Sequence, residues 1–147
     1  MRYFAAAIFA VGACASRPSG GTFPCDGAGD PADACYEATA HFDEANGETA
    51  ESGESLLAQA QHACDIGSRA ACNTIGHFAR DAIAACNAGA KIRDECAIAG
   101  YVYARGVQLP PGGGAMSPGA SVAIDATAAH AAFARACAAG ATLVCSR

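Results

Sequence analysis

The chain has no tryptophan, a single lysine (Lys91) and only four tyrosines and six phenylalanines in 147 residues. Large aliphatic side chains are also scarce, and alanine and glycine fill their place. Small side chains let helices approach closely but each buries little area, so an apolar core built from them stabilises weakly. Apolar runs are short. The longest, at the start of the chain, is too short to span a bilayer as a helix. Lysine and arginine are absent from the whole interval Asp26 to Asp65, which carries ten acids. From Arg69 onward seven basic residues face four acids, a local balance of about +3 by that count. No basic stripe and no aromatic-basic interleaving appears, which excludes the usual electrostatic footprint of a nucleic-acid binder. The acidic first third reads as a solvated face, or as an interaction surface.

Catalytic signatures are missing too. A serine acyl-enzyme built on S-x-x-K needs a lysine three residues after the serine, and residue 88, three before Lys91, is alanine. His41, His62, His77 and His130 fall at scattered helical positions. Asp43-Glu44 and Asp94-Glu95 are adjacent pairs whose members point to different helix faces, and Asp94-Glu95 suits the first turn of a helix. Gly112-Gly113-Gly114 follows no strand and opens no helix, so it is no phosphate cradle. The chain is expected to have no catalytic residues, no cofactor and no metal.

What is present in quantity is cysteine: Cys14, Cys25, Cys35, Cys64, Cys72, Cys86, Cys96, Cys137 and Cys145. The first belongs to an export signal. Arg2 precedes an apolar segment, Tyr3 to Ala13, and Val11-Gly12-Ala13-Cys14 resembles a lipobox. Residues 1–13 then form a lipoprotein-type signal peptide, Cys14 carries the lipid, and 14–30 is a Gly/Pro-rich tether. Ala13-Cys14-Ala15 also fits ordinary signal peptidase. The lipoprotein reading is preferred because it gives Cys14 a reason. Ala15 is not aspartate, so resemblance to lipoprotein sorting implies the outer membrane, facing periplasm or cell surface. A soluble periplasmic or secreted protein is the alternative.

The remaining eight cysteines fall into neighbours eight or ten apart, and predict the disulfides Cys25–Cys35, Cys64–Cys72, Cys86–Cys96 and Cys137–Cys145. Three of the pairs share a frame: Cys64-Asp-Ile-Gly67, Cys86-Asn-Ala-Gly89 and Cys137-Ala-Ala-Gly140, each followed by the second cysteine five to seven residues after the glycine. The stretch Cys25 to Cys35 lacks that frame. A glycine three residues past a helical cysteine suits the left-handed position that ends a helix. The second cysteine then sits at the start of the next helix, within bonding reach. Zinc sites favour two to four intervening residues, and seven or nine are seen here, which disfavours a metal site.

Apolar periodicity predicts helices over about 31–45, with Asp30 as cap and Pro31 at the first position, over about 50–64, and over about 125–138. Residues 68–87 are predicted as one continuous or kinked helix capped by Ser68, since nine residues between Gly76 and Cys86 cannot hold a loop and a full helix. Asp94 or Glu95 opens a helix reaching about Arg105, residues 108–121 form a Pro/Gly loop, and a short terminal helix ends near Cys145.

Cys35/Ala38/Thr39/Phe42/Ala45, Cys72/Ile75/Gly76/Ala79 and Cys96/Ala99/Gly100/Tyr103/Gly106 align as first helices of hairpin units whose second helices end in His62-Ala63-Cys64, Ala84-Ala85-Cys86 and Arg135-Ala136-Cys137. This pattern resembles the Sel1-like repeat and, in its cysteine staples, the Helicobacter cysteine-rich protein family. The match runs from about 33 to 147, is best over 96–145, and departs from the family in a shortened middle unit and in the 108–121 insertion. The resemblance implies an all-α solenoid of helical hairpins over 31–147, related to tetratricopeptide repeats. It implies protein–protein interaction in the bacterial cell envelope, with an envelope protein or peptide as partner and only the lipid touching the membrane. The helices over 35–45, 72–80 and 96–105 would present the binding groove. A weak β-lactam-binding or β-lactamase-like activity, described for some relatives of that family, is the enzymatic alternative.

Overall fold

A computed structural model describes residues 31–110 and 121–147. The signal segment, Cys14, the tether, Asp30 and the middle of the 108–121 insertion lie outside the described residues. Cys25 lies outside them as well, so of the expected Cys25–Cys35 pair only Cys35 is described. It is disulfide-bonded, buried on α1, and packs against the first of the staples below. Among the described residues five helices follow one another: α1 (Pro31–Asn46), α2 (Gly53–Asp65), α3 (Arg69–Ala88), α4 (Ile92–Arg105) and α5 (Ala126–Ala138), with one 3-10 turn at Thr142–Val144.

The three cysteine-glycine frames fold into one structure, repeated. At the end of α2 the Gly67 N–H donates to Cys64 O at 3.0 Å and Ser68 N–H to Ala63 O at 2.9 Å. After α3 the same two bonds run from Gly89 to Cys86 and from Ala90 to Ala85, at 3.1 and 2.9 Å. After α5 they run from Gly140 to Cys137 and from Ala141 to Ala136, both at 3.0 Å. This is the Schellman pairing, which needs a left-handed residue; Gly67, Gly89 and Gly140 supply it with φ of 113°, 77° and 99°. The reversed chain brings the next cysteine back to the helix end. Cys64–Cys72, Cys86–Cys96 and Cys137–Cys145 are disulfides with Cα–Cα separations of 4.6, 4.7 and 4.9 Å. Closing loops this short contributes about 2–3 kcal/mol each by restricting the unfolded chain.

α3 is a single uninterrupted helix. Ser68, in extended backbone, accepts the Ala71 N–H on its hydroxyl at 3.2 Å and starts it. Its buried positions, Ala71, Cys72, Ile75, Gly76, Ala79, Ala82 and Cys86, trace one apolar stripe. α2 begins at Gly53, a turn later than the periodicity suggests, because 47–52 forms a separate polar knot. Within it the Ser52 hydroxyl donates to Gly47 O, while Ser52 N–H reaches Thr49 Oγ1 at 3.2 Å. α4 begins earlier than expected, at Ile92, because Lys91 adopts a left-handed conformation (φ 42°) and turns the chain directly into the helix. The expected terminal helix is only the 3-10 turn.

Consecutive helices pack on one another, and α2 also touches α4. The larger core joins α2, α3, α4, α5 and the 3-10 turn around Leu57, Ile75, Ile98, Tyr101, Val102 and Phe133. A smaller one gathers Cys35, Ala63, Cys64, Ala71 and Cys72 where α1 meets the first staple. The α4–α5 contact is the tightest: a Cβ added at Gly100 would lie 2.4 Å from two ring atoms of Phe133. Between these helices Val107 and Val122 exchange antiparallel backbone bonds at 2.9 Å, Leu109 N–H reaches Ser121 Oγ at 3.0 Å, and Gln61 of α2 bonds both backbone groups of Gln108. The insertion is therefore tied at its root to α2.

Candidate functional site: an acidic cleft over α3

The outward face of α3 forms one wall of an open cleft of about 430 Å³. Asn73, Thr74, His77, Phe78 and Asp81, at three- and four-residue spacing, line it from that helix. Glu48 enters from the turn after α1 and Glu95 from the first turn of α4. Phe78 is half-buried and supplies an apolar floor, while Asn73, Thr74, His77 and Asp81 are exposed.

Charge in the cleft is unbalanced. Partial burial pushes the Glu48 carboxyl above its usual range, and the neighbouring carboxylates of Asp43 and Glu95 push it further, against the opposing effect of Lys91. Glu95 is raised in the same way, first by burial and then by Asp94 and Asp81, again with Lys91 opposing. Like charges raising one another is the signature of an uncompensated negative field. The carboxylates are spread along the cleft: among the described residues no three His, Cys, Asp or Glu side chains converge on a point that would hold a metal ion. Arg80 offsets part of the field, because its guanidinium pairs with Asp81 at 3.4 Å and also engages His77 Nδ1; the raised carboxyls are those of Glu48 and Glu95.

Glu51, Asp94 and Glu54, outside the cleft lining, are compensated by arginines. Arg93 pairs with Glu51, and with Asp94 at 2.6 Å. Asp94 Oδ1 also accepts the Ala50 N–H at 2.9 Å. Arg105 and Arg147 converge on Glu54 at 2.7 and 2.8 Å. Burial disfavours the Glu54 charge, but hydrogen bonds from Arg147 and Arg105 outweigh it and hold the carboxyl below its usual range.

Of the three helices expected to present a groove, only α3 does so. α4 contributes Glu95 alone. Its stretch Cys96 to Val102 is buried without interruption, so it is the central helix of the fold. The signal was in the sequence: Ala97-Ile98-Ala99-Gly100-Tyr101-Val102 is apolar all round, the pattern of a helix covered on every side. α1 reaches the cleft only through the turn that follows it. Tyr101 and Phe133 are core packing, edge to face with ring centroids 5.2 Å apart. Tyr103 and Arg135 line a smaller hollow of about 170 Å³ beside Cys86. The histidines stay dispersed: His41 lies 3.6 Å from Glu44 on α1, and His130 Nδ1 lies 3.3 Å from Arg147 O. The serine hydroxyls of residues 52, 68 and 121 are bonded to backbone groups. Sequence reasoning marked none of Glu48, Asp81 and Glu95 as a site, reading Glu95 only as first-turn charge, since nothing local links residues on three separate elements.

No family model, no curated protein and no solved structure matches this chain. Among the described residues no helix is long and apolar enough to cross a membrane.

Proposed function

We propose that the chain is an exported interaction module of the bacterial cell envelope, anchored by a lipid on Cys14, and that the cleft over α3 receives a cationic segment of an envelope protein or peptide. The observation that carries this is the pair Glu48 and Glu95, each raised by burial and acidic neighbours, in one cleft with the half-buried Phe78 of a helix stapled at both ends by disulfides. Two carboxylates from separate elements match an extended chain with basic residues, and Phe78 offers a seat for an aliphatic side chain or a lysine stem. A rigid receptor loses little conformational freedom on binding. The three cystines among the described residues fit an oxidising compartment. On this reading the units are Sel1-like hairpins whose middle copy has merged into the single helix α3, and Cys25 closes a fourth staple onto Cys35.

Titration of the oxidised protein with Lys/Arg-rich and Asp/Glu-rich peptides of equal length tests the proposal. Only the basic peptide should bind, and its affinity should fall with added salt. The double substitution Glu48→Gln/Glu95→Gln should weaken it by severalfold and up to about thirtyfold, given up to about 1 kcal/mol for each of two exposed ion pairs. Equal binding of both peptides, or an unchanged affinity in the double variant, would rule the cleft out. Mass spectrometry of the mature protein tests the anchor: a chain beginning at Ser16 would show that Cys14 is removed.

A further inference from the structure

We propose that the Cys137–Cys145 disulfide is a redox latch: a dithiol opens it selectively and releases the 141–147 segment from the fold. The three described disulfides differ in what surrounds them. Cys64 and Cys72 are 5% and 8% exposed, and Cys86 and Cys96 are 3% and 0%. Cys137 is half-buried and Cys145 is exposed. The first two staples each join two full helices, whereas the third joins α5 to one 3-10 turn. A thiolate therefore reaches Cys145 without unfolding a helix, and the rate of exchange follows access.

The chemistry balances with a dithiol as reductant. Its thiolate attacks Cys145 Sγ, the S–S bond breaks, and Cys137 leaves as a thiolate that takes a proton from solvent. The second thiolate of the dithiol then attacks its own sulfur in the mixed disulfide and releases Cys145. The dithiol loses two electrons to become a disulfide, and the cystine gains two to become two cysteines.

What the latch holds down is specific. Ala141 and Val144 are 0% and 1% exposed and belong to the main core. Arg147 spans Glu54 of α2 with two bonds, at 3.1 and 2.8 Å, and its guanidinium carbon lies 5.3 Å from the Tyr101 ring centroid. His130 Nδ1 approaches Arg147 O at 3.3 Å. Held by the disulfide, these contacts share one fixed geometry. Once it opens, a seven-residue segment with one short turn has little internal structure of its own to keep them together. Its departure uncovers Tyr101 and the apolar bed beneath Val144, next to Arg105 and Glu54. The oxidised molecule thus carries a concealed apolar surface that a dithiol exposes, while the α2–α3 and α3–α4 staples keep the scaffold folded.

The test is graded dithiothreitol on the full oxidised protein, quenched by alkylation, with peptide mass spectrometry and hydrogen exchange on the same samples. Cys137 and Cys145 should label about tenfold faster than Cys64, Cys72, Cys86 and Cys96. Exchange should rise within 141–147 and stay low across α2, α3 and α4. Glu54→Gln should speed opening of this pair and leave the other two unchanged. The double variant Cys137→Ser/Cys145→Ser should show the opened exchange pattern with no reductant. The proposal is overturned if another described pair labels first or all open together. It is equally overturned if 141–147 stays protected after labelling, if Glu54→Gln leaves the rate unaltered, or if the double variant loses protection across α2–α4.

Discussion

Gly100 shows what a missing side chain does in a fold this short of bulk. It sits where α4 meets the ring of Phe133, which Tyr101 already braces edge-on. Alanine would gain about 1 kcal/mol of helix propensity there. Overpacking a well-filled contact costs about 1–3 kcal/mol, and a buried ring already packed on Tyr101 has little room to step away from an atom 2.4 Å off. Gly100→Ala should therefore destabilise, lowering the midpoint of a circular dichroism melt by several degrees. A melt unchanged or raised would mean that the ring moves freely. Gly67, Gly89 and Gly140 were legible in the sequence, because a local rule links each to the cysteine three residues before it. Gly100 was not, because its reason lies about thirty residues further on in Phe133. Glu54 belongs to the same class: its partners Arg105 and Arg147 are brought to it only by the completed fold.

At the scale of the element, local rules carried further. The single helix over 69–88 follows from counting residues between Gly76 and Cys86, and its start follows from Ser68. Because that serine is 3% exposed and bonds the Ala71 N–H, Ser68→Ala should cost about 1 kcal/mol of stability in a denaturant titration. Ser68→Asp, which restores an acceptor, should recover part of it. If alanine and aspartate behave alike, the cap is not what starts α3. The role of α4 was harder to see. Aligning it with α1 and α3 placed it on a shared groove, since repeats suggest equivalent positions. Burial instead follows composition: six consecutive apolar or small residues, Ala97 to Val102, leave no polar face to show to water. The periodic alignment and the all-round apolar run were both visible, and the second was the one that governed. The early start of α4 was invisible, since nothing in its sequence announces that Lys91 turns left-handed.

For the molecule as a whole, charge is divided between arginine-paired carboxylates and the raised carboxyls of the cleft, and acid should separate them. Glu48 and Glu95 have their carboxyls raised above the usual 4.5, by burial first and by neighbouring carboxylates next. Glu54 has its carboxyl lowered from the same value, because the bonds from Arg147 and Arg105 outweigh its burial. Binding of a cationic segment needs Glu48 and Glu95 ionised, so affinity should decline as pH falls through their raised values. Folding responds with the opposite sign at these two groups. A raised folded value gives stability that is present below the unfolded value and lost as pH rises through the folded one. Protonating them therefore relieves repulsion and favours the fold. Glu54 works the other way: its contribution is present above the unfolded value and disappears as pH falls through its lowered one. Titrating the oxidised protein downward from neutral should thus abolish binding of a basic peptide while the melting midpoint holds or rises slightly. The midpoint should fall only at lower pH, as the Glu54 pairs are lost. Glu48→Gln/Glu95→Gln should flatten the first change and leave the second in place, and Glu54→Gln should do the reverse. Loss of binding and loss of fold at one shared pH, unaltered by either variant, would mean that the cleft carboxylates carry neither effect.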